Sequence, residues 1–233
     1  MTHIHVLSGG AAQGLVKQLE DAFREESGYA IAGRFGAVGL MKEHLLNGEP
    51  CDVLILSQKL IDELLESGHA VQGTATPLGV VKTGVAVKVG EAAPQVDTPN
   101  GLKSALLQAT AIYFPDPHKA TAGIHFMNVL KKLGIDAEVE ARLRPFPNGA
   151  TAMREMAQAT ERGVIGCTQV SEILFTPGVR LVAPLPAEFA LATTYTAAIA
   201  SKAAEPVYAA RLIDYLSRPE AEAARRAAGL EQA

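Results

Sequence analysis

Three times in this chain a short apolar run stops at small residues and a helix-like pattern begins. The runs are His3-Ile4-His5-Val6-Leu7 before Ser8-Gly9-Gly10-Ala11-Ala12, Ala30 to Phe35 before Gly36-Ala37-Val38-Gly39, and Ala111-Ile112-Tyr113-Phe114 before Pro115 to Gly123. This arrangement constrains the fold more than any other feature. A strand that runs into a helix start aims unpaired backbone N–H groups, and the positive end of the helix dipole, at one spot. Such a spot attracts anions.

The rest of the chain repeats the alternation. Ala12, Leu15, Val16, Leu19, Ala22 and Phe23 recur at helical spacing, and Gly28 stands where a helix closes. A second helix is predicted over roughly 38–46, stopping at Asn47-Gly48. Asp52-Val53-Leu54-Ile55-Leu56 is nearly continuous in apolar residues, as in a strand buried on both faces of a parallel sheet. Ser57 reads as the N-cap of a helix carrying Leu60, Ile61, Leu64 and Leu65. This βαβαβα rhythm predicts a doubly wound α/β sheet, with ligands at the carboxyl ends of its strands.

At Thr76 the rhythm changes. Leu78 to Val89 is β-branched and interrupted by Gly79 and Gly84, and the stretch from Gly90 to Asn100 reads as a loop. A second α/β unit follows: strand 111–114, helix 122–133, strand 138–143, helix 150–162, strand 164–168 and a short helix to Leu174. Thr194 to Ala200 is β-rich and carries the chain back. Two helices close it, one from Pro206 and one from near Pro219 to Gly229. The expected division is 1–80 plus 195–233 for lobe one and 81–194 for lobe two.

With 233 residues, 48% of them hydrophobic and 20% charged, the chain has material for a real core. Lysines and arginines number 21 against 25 acidic residues, a net −4, and no basic cluster is longer than Arg225-Arg226, so no nucleic-acid partner is expected. Cys51 and Cys167 are far apart and fit no metal spacing; they read as buried free thiols. No cofactor fingerprint or metal site is read, and no apolar run approaches the roughly 20 residues that span a bilayer. Met1-Thr2-His3 leads straight into a strand-like run, with no basic stretch followed by an apolar one. The protein is thus expected in the periplasm if a leader has been removed, and in the cytoplasm if Met1 is the native start.

The order of elements, with Phe35-Gly36-Ala37-Val38-Gly39, Pro50 to Ser57, Asp116 to Ile124 and Arg162-Gly163-Val164-Ile165-Gly166-Cys167, resembles the periplasmic molybdate-binding proteins of ABC transporters. The resemblance covers nearly the whole chain. It implies an α/β fold of the type 2 periplasmic-binding-protein kind: two lobes, each a mostly parallel sheet flanked by helices, with the anion between them. It also implies a small anionic ligand, either a small carboxylate or a tetrahedral oxyanion such as molybdate. A permease partner follows if the protein is exported, and the expected state is a monomer. In that family hydroxyls and backbone N–H groups from the strand–helix turns hold the ligand. Carried over, the ligand-binding set is Ser8, Gly9 and Gly10, then Gly36, Ala37 and Val38, then Thr121 and Ala122; where the family often has a tyrosine this chain has Cys167-Thr168, and Thr168 is either a core hydroxyl or a donor at the site. Ala37-Val38 stands where the family offers a serine, so one hydroxyl is missing.

Read from the residues themselves, Ser8 either caps the first helix or donates to an anion. Arg34 is either a surface ion pair or a carboxylate clamp. His118-Lys119 is either a plain surface loop or a loop at the site. Asn148-Gly149 precedes a helix and offers a further N–H nest. Tyr195, His3 and His5 read as structural.

The resemblance extends to aconitate-isomerase-like relatives. These imply an alternative: a cofactor-free isomerase of an unsaturated polycarboxylate. In that reading His118 moves the proton, its ordinary pKa lying nearest neutral pH. Arg34 with Arg142 or Arg144 would hold the carboxylates. A polycarboxylate site should add cationic groups, whereas an oxyanion site discriminates by neutral donors.

Overall fold

The computed structural model describes residues 2–232. In chain order the elements are β1 (His3–Gly9), α1 (Gln13–Ser27), β2 (Ala30–Gly36), α2 (Val38–Leu46), β3 (Val53–Ser57), α3 (Gln58–Glu66), β4 (Thr76–Lys88), α4 (Pro99–Gln108), β5 (Ile112–Pro115), α5 (Thr121–Leu133), α6 (Asp136–Val139), β6 (Leu143–Phe146), α7 (Gly149–Gln158), β7 (Ile165–Gln169), α8 (Val170–Phe175), β8 (Val179–Pro184), β9 (Ala192–Ile199), α9 (Pro206–Ser217) and α10 (Glu222–Ala227). The chain forms two compact units. The first holds the residues up to Val81 and those from Thr193 onward; the second is Lys82–Ala192.

In the first unit the strands lie in the order β2-β1-β3-β9. β1 is parallel to β2 and β3, and β9 runs antiparallel to β3. All five residues of β3 are buried, as expected of a strand covered on both faces. Leu15, Val16 and Phe23 of α1 and Leu212, Ile213 and Leu216 of α9 join Val53 to Leu56 in one core. Burying each such large side chain is worth about 1.5–3 kcal/mol. Gly28 closes α1 at φ 78°, a left-handed conformation that glycine adopts without Cβ strain.

In the second unit the order is β4-β7-β5-β6, with β8 also on β4. β5 is parallel to β6 and β7, while β4 is antiparallel to β7. The two faces of this sheet are distinct. Val85, Ile112, Phe114, Ile165 and Cys167 pack with Phe126 and Val129 of α5 and with Leu102 and Leu106 of α4. On the other face Ala86 and Tyr113 pack with Met153 and Met156 of α7. Gly166 belongs to the α7 face, where a Cβ would come within 2.5 Å of Met153.

Two elements differ from the sequence reading, and two more were not foreseen. Residues 138–143, expected as a strand, form helix α6 and a 3-10 turn over Glu140–Arg142, and the strand begins only at Leu143. Asp136 and Glu138 place negative charge in the first helical turn, which favours helix over strand there. The stretch from Gly90 to Asn100, expected as a loop, ends in the start of α4. Thr98 Oγ1 accepts from the Gly101 N–H at 3.1 Å, and Pro99 occupies the first helical position. β8, too, is absent from the sequence reading. Ser57 has N-cap geometry, but its side chain makes no capping bond.

Candidate functional site

The parallel pairing in the first unit gathers three turns at one edge. Ser8 lies beside Phe35 and Gly9 beside Gly36, while Ser8 also faces Ile55, two residues before Ser57. The turn Ser8–Gly10 thus meets Gly36, Ala37 and Val38, with Ser57 next to them. The helical segments that open here have their N-cap positions at Gly9, where a 3-10 turn over Gly10–Ala12 leads into α1, at Ala37 and at Ser57, and none has a side-chain capping bond. Their first N–H groups and the helix dipoles therefore favour an acceptor from elsewhere. Gly9 is required by close packing: a Cβ would come within 2.7 Å of Val38 Cγ1 and 2.8 Å of Tyr195 Cε1. Tyr195 is buried and pairs with Ser57 across β3 and β9. Ser8 is fully buried, and its hydroxyl donates to the Gly9 carbonyl at 2.9 Å. The Ser8 hydroxyl is thus engaged with its own turn.

Arg34 lies on β2, and its guanidinium pairs with Glu49 at 2.8 Å, with His44 on the same carboxylate at 2.8 Å. Its side chain is 54% exposed. This is the surface ion pair among the two roles weighed for it.

The second unit builds a corresponding edge. β5 and β6 align Pro115 with Phe146, so the starts of α5 and α7 sit at the same end of the sheet. Thr121 and Ala122 open α5, whose N-cap, Ala120, supplies no side-chain bond. Gly123 lets this turn approach the strand end, because a Cβ would collide with the carbonyls of Pro115 and Asp116. His118 and Lys119 are exposed, and their N–H groups donate to Asp116 Oδ1 at 2.7 and 2.9 Å. Arg142 donates to the carbonyls of Leu107 and Ala109 at 2.7 and 2.8 Å, and Arg144 to those of Ala141 and Leu143. Both are spent on carbonyls of residues that precede β5 and β6 or begin β6, at the opposite end from the helix starts.

At α7 the arrangement is different. Asn148 caps the helix, its Oδ1 accepting from the Thr151 N–H at 2.8 Å. The nest expected at Asn148-Gly149 is filled by the protein itself. The buried Glu172 carboxyl, from α8, accepts from the N–H groups of Ala150, Gln169 and Gly149 and from Thr168 Oγ1 at 2.6 Å. Gly149 is the residue this contact demands, since a Cβ would overlap both Glu172 Oε2 and Thr168 Oγ1. Burial raises the Glu172 pKa above the ordinary carboxylate value, against the lowering effect of these donors. Asn148, Gly149 and Thr168 are therefore brought together, around an internal acid. Burial likewise pushes the thiols up, Cys51 to about 12 and Cys167 further, so both are inert at neutral pH.

Glu172, Gln169, Thr83 and Tyr195 are the residues at these edges that the sequence reading did not assign to the site. Thr83 carried the one available signal, a polar residue in strand phase with Val81, Val85 and Val87.

Among the described residues no cluster of three or more His, Cys, Asp or Glu could hold a metal ion. No helix there is long and apolar enough to cross a membrane.

A model of the bacterial extracellular solute-binding protein family matches residues 4–231. The chain belongs to that family. It is 26% identical over 240 residues to an aconitate isomerase of a Pseudomonas species, covering 99% of this chain and 88% of that protein. It is 25% identical over 224 residues to the molybdate-binding protein ModA of Escherichia coli (strain K12), covering 94% and 84%. The periplasmic molybdate-binding protein of Azotobacter vinelandii superposes with a TM-score of 0.82 at 21% identity, covering 99% of each chain. The α/β periplasmic-binding-protein fold and the resemblance read from the sequence are borne out by these matches.

Proposed function

We propose that this solute-binding protein receives a small anion at the strand-end edges described above, holding it mainly by backbone N–H groups. The observation that carries this reading is the set of uncapped helix starts after β1, β2, β3 and β5, gathered by parallel pairing at one edge in each unit. Such groups need an acceptor, and an anion is the best one. The donors are neutral, which suits recognition by shape and hydrogen bonding. Both a tetrahedral oxyanion and a small carboxylate meet these requirements; the molybdate-binding relatives support the first and the aconitate isomerase the second. In the transport role the partner is an ABC-transporter permease and the place of action, on export, is the periplasm.

A thermal-shift screen of molybdate, tungstate, sulfate, citrate, and cis- and trans-aconitate tests the proposal. A bound anion at a hundredfold excess over its Kd stabilises by about 2.7 kcal/mol. No shift with any small anion would remove the reading.

The second reading, a double-bond isomerase, is favoured by the aconitate isomerase match over 99% of the chain. Its expected cationic clamps are not assembled: Arg34, Arg142 and Arg144 are each engaged elsewhere. His118 keeps an exposed place before α5. Incubation with trans-aconitate in deuterated water, followed by NMR, decides it. Turnover or deuterium incorporation establishes the enzyme, and the absence of both leaves the receptor.

A further inference from the structure

Two side chains beside the start of α5 are buried and unpartnered. Thr83 Oγ1 and both polar atoms of Gln169 have no hydrogen-bond partner, although the residues are only 1% and 3% exposed. Ser171 Oγ, just beyond Gln169, is in the same condition. Native proteins rarely leave such groups unpaired, and each instance calls for a cause.

Their placement points to one. Thr83 and Gln169 face each other across β4 and β7. The Thr83 N–H donates to the Leu191 carbonyl at 3.1 Å, and its carbonyl accepts from the Leu185 N–H at 3.0 Å, both on the side away from β7. The pair is therefore of the non-hydrogen-bonded kind, with side chains at their closest. By the alternation of strand faces, Gln169 continues the face of Ile165 and Cys167, and Thr83 that of Val85. That is the α5 face of the sheet. β5 and β7 align Ile112 with Ile165 and Tyr113 with Gly166, and counting on brings Asp116 level with Gln169. The Asp116 carbonyl is what the first turn of α5 abuts through Gly123. An uncapped thirteen-residue helix and an unpaired carboxamide thus meet at one place.

We infer that Gln169, with Thr83, sets ligand specificity by reading a hydroxyl on the bound anion. The inference rests on the anion-receptor reading above. The α5 N–H groups and the Gln169 amide hydrogens are donors and satisfy the anionic oxygens. The Gln169 carbonyl is an acceptor, and a fully ionised oxyanion has nothing to give it. An anion that carries its own O–H fills both needs. Hydroxycarboxylates and hydrogenphosphate share that chemistry; succinate, tricarballylate, sulfate and molybdate lack it.

Calorimetric titration of the full chain with matched pairs is the test: malate against succinate, citrate against tricarballylate, and phosphate against sulfate and molybdate. The O–H member of at least one pair should bind about tenfold tighter or more, as one extra hydrogen bond to a buried group allows. Which pair responds tells an organic acid from an inorganic one. In Gln169→Leu both members of the pair should weaken, because the amide donors are lost, but the O–H member should lose more, so that the ratio shrinks to about threefold or less; Thr83→Val gives a second route if Gln169→Leu does not fold. Equal or tighter binding of the O–H-free partners overturns the inference and leaves the anion receptor standing. No binding by any of these anions overturns the receptor reading and this inference with it.

Discussion

α5 and α7 begin at the ends of neighbouring strands, β5 and β6, yet their first turns are treated in opposite ways. α7 is closed from within. Asn148 caps it, the Glu172 carboxyl lies on its N–H groups, and Thr168 completes the bonding. α5 has no side-chain cap, and the polar groups nearest it on β4 and β7 are unpaired. The strand β7 serves both: Thr168 turns to the α7 face and Gln169 to the α5 face. An anion-friendly helix start is therefore not by itself a ligand site. The protein's own carboxyl group can take it, and the side-chain inventory around each start tells which case holds.

Substitutions on the two sides should separate the cases. Gly149→Ala is expected to do the most harm, roughly 2–4 kcal/mol in chemical denaturation, because its Cβ overlaps Glu172 and Thr168 and displaces a buried carboxyl from its donors. Thr168→Val should cost about 1–3 kcal/mol, the penalty for removing a hydroxyl from a buried acid. Asn148→Ala removes only the cap and should cost about 1 kcal/mol. Across β7, Gln169→Leu should leave the ligand-free protein as stable as before or slightly more so, since the lost amide has no partner to abandon. A loss there as large as that of Thr168→Val would erase the contrast.

Glu172 adds a pH signature. Its folded pKa is raised, so the folded state favours the neutral acid. The stability this provides is complete below the unfolded carboxylate pKa of about 4.3 and is lost as pH rises through the folded value. Glu172→Gln keeps the shape without the titration. Its melting temperature relative to the parent protein should therefore rise between pH 4.5 and the folded pKa. A difference that stays flat with pH would mean that Glu172 is not titrating against burial.

Local features carried most of the architecture. Gly28, the buried run of β3 and the three strand-to-helix turns were legible because each depends on residues near in sequence. The failure at 138–143 had a local cause too: Val139, Ala141 and Leu143 alternate with Glu138, Glu140 and Arg142 at strand period, while Asp136 and Glu138 in the first turn favoured a helix. The site was legible as turns and not as contacts. Nothing near Gly149 announces that Glu172 will occupy its nest, and the meeting of Thr83 with Gln169 depends on the register of β4 against β7. Arg34 looked available because its partner, Glu49, comes from beyond α2.

In the proposed receptor an anion is held by the open helix starts and not by the one already filled. Amide NMR during titration with the anion that gives the largest thermal shift tests this most directly. The amides of Gly9, Gly10, Val38, Gly39, Ala122 and Gly123 should move as the ligand is added, while those of Gly149 and Ala150 hold the positions set by Glu172. Large shifts at Gly149 and Ala150, with the amides at the starts of α2 and α5 unmoved, would contradict it.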